Sequence, residues 1–248
     1  MDNRATIYES FVKAKQQNCK KIAVLIDPDE DKLHNLEQTI DLAVENGVCF
    51  FFIGGSLVFS DALESVLHTI KTRCQIPTIL FPGSSRQLSY SADALLFLSL
   101  ISGRNPELLI GKHVETASFI KNSPLEVIPT GYMLVDGGVA TSVSYMSNTQ
   151  PIPFDKHDIA VSTAIAGELL GFKLIYMDAG SGAKQSISEE MVRRVSRSID
   201  IPLVVGGGIR DLQTASAILE AGADILVIGS AIEKEPTFIK EVARLIQA

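Results

Sequence analysis

Eight short apolar runs alternate with helical or loop segments along the chain, and that alternation leaves few folds open. The runs lie at residues 21–27, 48–53, 78–81, 94–98, 125–136, 173–177, 202–205 and 224–228. Most are apolar throughout rather than at every second position, as strands of a parallel sheet covered on both faces require. Eight β/α units in 248 residues match a closed (β/α)8 TIM barrel. An open doubly wound sheet fits worse, because no glycine fingerprint follows the first run. A hydrophobic content of 46% can fill one large core, and no linker or low-complexity tract divides the chain. A single barrel domain over residues 1–248 is therefore expected.

The crossovers read mostly as helices, at residues 7–19, 32–46, 106–120, 155–170, 188–198 and 236–246, with two more opening at Ser60 or Asp61 and after Asp211. Pro28 stops the first strand, and Gly47 and Gly222 stop the helices before them. Residues 86–91 are too few for a confident helix, so an irregular crossover is expected after the third strand. Residues 141–153 form a polar excursion.

No apolar run reaches the roughly 18 residues that span a bilayer, and the N-terminus lacks the apolar centre of a signal peptide. A soluble, cytoplasmic protein is expected. The formal charge of −7 disfavours nucleic acid, since a phosphate backbone seeks a basic face. Any bound anion must be held locally, by backbone N–H groups, helix ends or a metal ion. Cys19, Cys49 and Cys74 have no metal-ligand spacing and read as reduced, mostly buried thiols. The four histidines are scattered, so a zinc site is not expected.

In a (β/α)8 barrel the active site lies at the carboxyl ends of the strands. The most specific ends here are Gly206-Gly207-Gly208 after the seventh run and Gly229-Ser230 after the eighth. Adjacent glycine loops at these two positions form the phosphate site common in this fold, although such glycines also serve as simple tight turns. A second anion station is expected at the first two strands. Asp27 and Ser56 end neighbouring strands and offer hard oxygen ligands for magnesium, which fills its remaining positions with water and substrate phosphate. Asp29, Glu30 and Asp31 suit a helix start and need no further role.

Between the stations lies Tyr176-Met177-Asp178-Ala179-Gly180-Ser181-Gly182. Alternation along the strand puts Tyr176 and Asp178 on one face and Met177 on the other. A carboxylate beside a glycine-rich cradle either caps the next helix or serves a phosphate-bearing substrate whose hydroxyl needs deprotonation.

Taken together, LIDPDE (25–30), FIGGS (52–56), ILFPG (79–83), YMDAGSG (176–182), GGGIR (206–210) and IGSAI (228–232) resemble the geranylgeranylglyceryl phosphate and heptaprenylglyceryl phosphate synthase family of prenyltransferases. The resemblance covers nearly the whole chain. It implies transfer of a polyprenyl group from its diphosphate to the 3-hydroxyl of sn-glycerol 1-phosphate. Tyr176, Met177, Asp178, Ala179, Gly180, Ser181, Gly182, Gly207, Gly208, Gly229 and Ser230 match the glycerol phosphate site. Asp178 matches the base, often Glu in the family, and Asp27 and Ser56 match the Mg2+ ligands. The heptaprenyl branch carries Lys where this chain has Leu25, which points to geranylgeranyl diphosphate as the donor. The resemblance also implies a homodimer or homohexamer, and the lipid product implies peripheral contact with a membrane. An apolar trough is expected from the loops and crossovers of strands two to five, with Phe50, Phe51 and Phe52 read as strand core.

Two other readings compete. Asp27 and Asp136 stand where a phosphate-binding isomerase of the histidine-biosynthesis type places its acid and base, but the second half does not repeat the first half's strand-end Asp and phosphate loop. A non-catalytic phosphate-binding barrel leaves the strand-end acids without purpose.

Overall fold

The computed structural model describes residues 6–58 and 62–246. Eight parallel strands close into a barrel in sequence order: β1 (Lys21–Ile26), β2 (Phe50–Ile53), β3 (Thr78–Leu80), β4 (Ala94–Leu100), β5 (Glu126–Leu134), β6 (Leu174–Asp178), β7 (Leu203–Gly206) and β8 (Ile225–Ile228). Pairing of β1 with β8, Lys21 opposite Ile225, completes the ring. The ten α-helices of the described residues are α1 (Ile7–Gln16), α2 (Leu36–Glu45), α3 (Leu63–Arg73), α4 (Lys112–Lys121), α5 (Ser142–Ser147), α6 (His157–Leu169), α7 (Glu189–Ser196), α8 (Leu212–Ala221), α9 (Ser230–Lys234) and α10 (Phe238–Ala243).

The pleat splits the apolar residues between two layers. Phe50, Phe52, Tyr132, Tyr176, Val204 and Val227 fill the barrel interior. Their strand neighbours Phe51, Met133, Ile175, Met177, Val205 and Ile228 pack outward against the helices. The three phenylalanines of β2 are thus core, as expected, but of two different layers.

The amino-terminal end of the barrel is stoppered. Helix α1 starts at a capping box in which Thr6 and Glu9 satisfy each other's backbone N–H groups. The Glu126 carboxylate, at the start of β5, accepts hydrogen bonds from the backbone N–H groups of Ile7 and Tyr8 at 2.7 and 2.8 Å. So anchored, α1 drives Phe11 into the barrel, where its ring meets Phe50 edge-on at 4.9 Å and is fully buried. Access is left to the carboxyl ends of the strands.

Elsewhere the sequence expectation needs adjustment. The stretch read as one helix from 32 to 46 is a 3-10 turn at Glu30–Lys32 followed by α2, because Asn35 starts the α-helix late. The stretch 106–120 opens with a π-helical turn, Glu107–Gly111, before α4. The polar excursion contains α5, whose capping box at Thr141 and Ser144 is a local helix start that composition obscures. Short α9 follows β8 directly, with the last helix beginning only at Phe238. The start of the helix at Ser60 or Asp61 lies outside the described residues. Cys19 is exposed and Cys49 and Cys74 are half-buried, all three free, so the expectation of mostly buried thiols is corrected: they sit at element ends rather than in strands.

No helix is formed between β3 and β4, as expected from the short spacing. In its place the Asp93 carboxylate accepts from the Thr78 N–H and hydroxyl at 2.8 and 2.7 Å and from Lys71 at 2.7 Å, stitching the bottoms of β3 and β4. Phe11→Ala should test the stopper: loss of a fully buried ring costs about 3–5 kcal/mol, read by chemical denaturation. A change well under that range would mean the barrel floor collapses to fill the space.

Candidate active site

Strand register brings the chemistry together. Tyr132 pairs with Tyr176 across β5 and β6, and Asp178 pairs with Gly206 across β6 and β7. Tyr132 therefore lies beside Tyr176 on the inner face, and its hydroxyl donates to Asp178 Oδ2 at 2.6 Å. The other carboxylate oxygen, Oδ1, accepts from the Gly180 N–H at 2.8 Å. The rings of Tyr132, Tyr176 and Phe81 cluster 4.9 to 5.7 Å apart, the Phe81–Tyr176 pair stacked and the Tyr pair edge-on. Burial raises the Asp178 pKa above the ordinary carboxylate range, while the Tyr132 and Gly180 donors oppose the rise. Both phenols are pushed up well above their usual value, first by burial and then by the Asp178 charge.

A cavity of about 1020 Å³ opens over this acid. At one end it is lined by Gly180, Ser181, Gly182, Gly207, Gly208 and Gly229-Ser230. The Ser181 and Ser230 hydroxyls stand 3.3 Å apart and join the loops after β6 and β8. Arg210 is held on the Ala183 carbonyl, which fixes the same β6 loop. Gly207 has φ +82°, and a Cβ there would lie 2.4 Å from Asp178 Oδ1. The glycine thus lets the β7 loop close onto the acid.

A second part of the wall carries Asp27 and Ser56. Lys32 pairs with Asp27 Oδ2, while Asp27 Oδ1 is buried without a hydrogen-bond partner. A Cβ at Gly55 would meet that oxygen at 2.5 Å, so only glycine lets the β2 loop pass this close. Buried Gln87, from the helix-less crossover, clamps the loops. Its Oε1 accepts from the Gly55 and Gly83 N–H groups at 3.1 and 3.2 Å, and its Nε2 donates to the Gly55 carbonyl at 2.7 Å.

Toward β4 and α4 the cavity becomes apolar, along Leu88, Leu95, Phe97, Leu108, Ile120 and Val143. The missing crossover helix leaves this flank of β4 open. His113 interrupts the apolar wall: it is buried, its Nε2 lies 2.9 Å from Ser99 Oγ, and its ring meets Phe97 edge-on at 4.5 Å. Burial pushes its pKa down, against a backbone hydrogen bond at Leu98 that opposes the shift.

Of the sequence-predicted site residues, Tyr176, Asp178, Gly180, Ser181, Gly182, Gly207, Gly208, Gly229, Ser230, Asp27 and Ser56 line the cavity. Met177 and Ala179 do not; strand alternation sends both into the outer layer against the helices. Asp136 also lies off the cavity wall, its Oδ1 accepting from the Gly138 N–H at 2.8 Å, so the facing pair of acids that an isomerase needs is absent from the described residues. Tyr132 and Gln87 went unnoticed in the sequence. Their signals were weak: a tyrosine inside an apolar strand, and a glutamine in a loop.

The closed barrel with a buried acid at the carboxyl end of β6 makes this an enzyme of the (β/α)8 class. Residues 15–246 match the PcrB family model. A relative from Chitinophaga pinensis, named geranylgeranylglyceryl phosphate synthase, is 53% identical over 98% of this chain and 96% of its own. One of the same name from Thermococcus kodakarensis is 40% identical over 91% of this chain and 89% of its own. The crystal structure of (S)-3-O-geranylgeranylglyceryl phosphate synthase from Thermoplasma acidophilum, in complex with its substrate sn-glycerol-1-phosphate, superposes with a TM-score of 0.90 at 33% identity, covering 98% of this chain and 99% of that one. The chain belongs to the PcrB family.

Because the Tyr132 hydroxyl favours the ionised form of Asp178, Tyr132→Phe should shift the Asp178 titration to higher pH. Carboxyl carbon NMR checks this; a shift to lower pH would show that the hydrogen bond does not stabilise the carboxylate.

Proposed function

We propose that this protein transfers a geranylgeranyl group from its diphosphate to the 3-hydroxyl of sn-glycerol 1-phosphate, forming an ether and releasing diphosphate. The observation that carries the reading is the position of Asp178, buried where a glycine-loop station meets an apolar trough in one cavity. That junction suits a small phosphate-bearing alcohol on one side and a long hydrocarbon on the other. The name of the Thermoplasma structure and its bound glycerol phosphate support the same assignment.

The residues divide the work. Backbone N–H groups of the loops bearing Gly182, Gly207, Gly208 and Gly229, with the Ser181 and Ser230 hydroxyls, hold the phosphate. Asp178 accepts the proton of the 3-hydroxyl as its oxygen bonds to the allylic carbon and the carbon–oxygen bond to diphosphate breaks. Tyr132 and Gly180 fix the carboxylate's orientation, and the surrounding rings exclude water. Leu88, Leu95, Phe97 and Ile120 take the prenyl chain, where burial of apolar surface supplies affinity. Leu25, rather than Lys, beside Gly229 favours the geranylgeranyl donor.

Magnesium fits the Asp27–Ser56 station. The unpartnered Asp27 Oδ1 and a serine hydroxyl are hard oxygen donors, and a divalent ion there would offset the charge of the leaving diphosphate. No helix of the described residues is long and apolar enough to cross a membrane. We further propose, as the resemblance to the prenyltransferases implies, a cytoplasmic homo-oligomer that releases its lipid at a membrane surface.

A product assay over a ladder of prenyl diphosphates, with sn-glycerol 1-phosphate and its enantiomer, tests the reading. The geranylgeranyl ether of the 1-phosphate should dominate; no prenyl ether from any donor would overturn it. Asp178→Asn should lower the single-turnover rate by about 10²- to 10⁴-fold with both substrates saturating. A rate near that of the unmodified enzyme would move the base elsewhere.

A further inference from the structure

Lys32 pairs with Asp27, yet the two partners are not equivalent. Asp27 follows directly on β1, its side chain 14% exposed and hemmed in by Gly55, while Lys32 ends a single 3-10 turn and is 39% exposed. The carboxylate is fixed and the four-carbon stem is free to swing. The pair also uses only half of the acid, since Oδ1 has no partner.

The surroundings of the ammonium are acidic from two sides of the barrel. Asp27 and Asp29 face it from the β1 loop, and Glu233 faces it from α9, after β8. Glu233 lines the same cavity and feels both Lys32 and Asp27. Three carboxylates face the Lys32 ammonium, and the Lys234 ammonium acts on Glu233 from the same helix, so carboxylates outnumber ammoniums in this group. Such a site attracts a divalent cation and repels a bare diphosphate.

We infer that Lys32 is the internal counter-ion of the Asp27 station, resting on Asp27 until a divalent cation arrives and then moving onto the diphosphate. The inference rests on the reading of Asp27 and Ser56 as the magnesium–diphosphate station. A cation bound to Asp27 repels the ammonium on the same carboxylate. Within reach of the swinging stem are then Glu233 and the oxygens of a diphosphate, which lysine binds as a point charge. Lys32 therefore opposes the cation when diphosphate is absent and assists once diphosphate is present. A merely structural ion pair has no such change of sign.

The test uses the full chain and two binding titrations. Mn2+ alone is followed by the EPR signal of the free ion, and inorganic pyrophosphate is titrated calorimetrically at saturating Mn2+. Lys32→Met should tighten Mn2+ alone by about two- to fivefold, the range of a partly exposed ion pair, and weaken pyrophosphate by at least a similar factor. Lys32→Arg should restore both, and Lys32→Gln should repeat the methionine result if the latter folds poorly. Both affinities unchanged, or both moving in the same direction in a folded variant, would overturn the role of Lys32. Asp27→Asn separates the two levels. If it abolishes Mn2+ binding while Lys32→Met changes nothing, the inference alone falls. If it leaves Mn2+ binding intact, the station itself is misplaced and the inference falls with it.

Discussion

The hydrogen bond from Tyr132 to Asp178 is the contact on which the candidate site depends. At 2.6 Å it has the length of a hydroxyl bound to an ionised carboxylate, and it is buried. A carboxylate in such a place is costly unless its oxygens are satisfied. Here Tyr132 serves one oxygen and the Gly180 N–H the other, so the acid can be both desolvated and held in one orientation. Burial raises its pKa and the two donors restrain the rise. The bond requires Tyr132 and Tyr176 in register on adjacent strands, Gly207 without a side chain just after β7, and a left-handed turn at Gly180.

The two ends of the barrel are built for opposite purposes. At the amino-terminal end, α1 is anchored by Glu126 and fills the opening with Phe11, converting the interior into a closed apolar core. At the carboxyl end, the glycine loops after β6, β7 and β8 and the acids Asp27 and Asp178 share one open cavity with apolar side chains. The omitted helix after β3 adds a third surface. Where an ordinary crossover would cover the outside of β4, the chain runs as a loop pinned by Gln87 and Asp93, leaving an apolar flank accessible from the active end. One cavity then runs from the glycine loops of β6, β7 and β8 to the apolar flank of β4.

Electrostatics follow the same division. The chain is acidic overall, with a formal charge of −7, so it offers phosphates no broad positive field. The carboxyl end of the barrel instead carries local groups: the glycine loops at the β6, β7 and β8 ends, the pinned Arg210, and the cluster of Lys32 among Asp27, Asp29 and Glu233.

The eight apolar runs, the strand-end glycines and Asp27, Ser56 and Asp178 could be read directly from the chain, because apolar period and loop chemistry are local properties. The same local rule already separates Tyr176 from Met177, and the fold sends Met177 and Ala179 outward. Tyr132 was invisible, since nothing near it in sequence says that β5 will pair with β6 one tyrosine beside the other. Gln87 was invisible for a similar reason: its value lies in reaching Gly55, 32 positions earlier, and Gly83, four earlier. Glu233 and Lys32 are distant along the chain and neighbours only because β1 closes on β8. Residue type and periodicity thus determined which elements form and which ends carry chemistry. Register, barrel closure and the omitted helix decided which side chains meet, because those contacts join residues far apart along the chain.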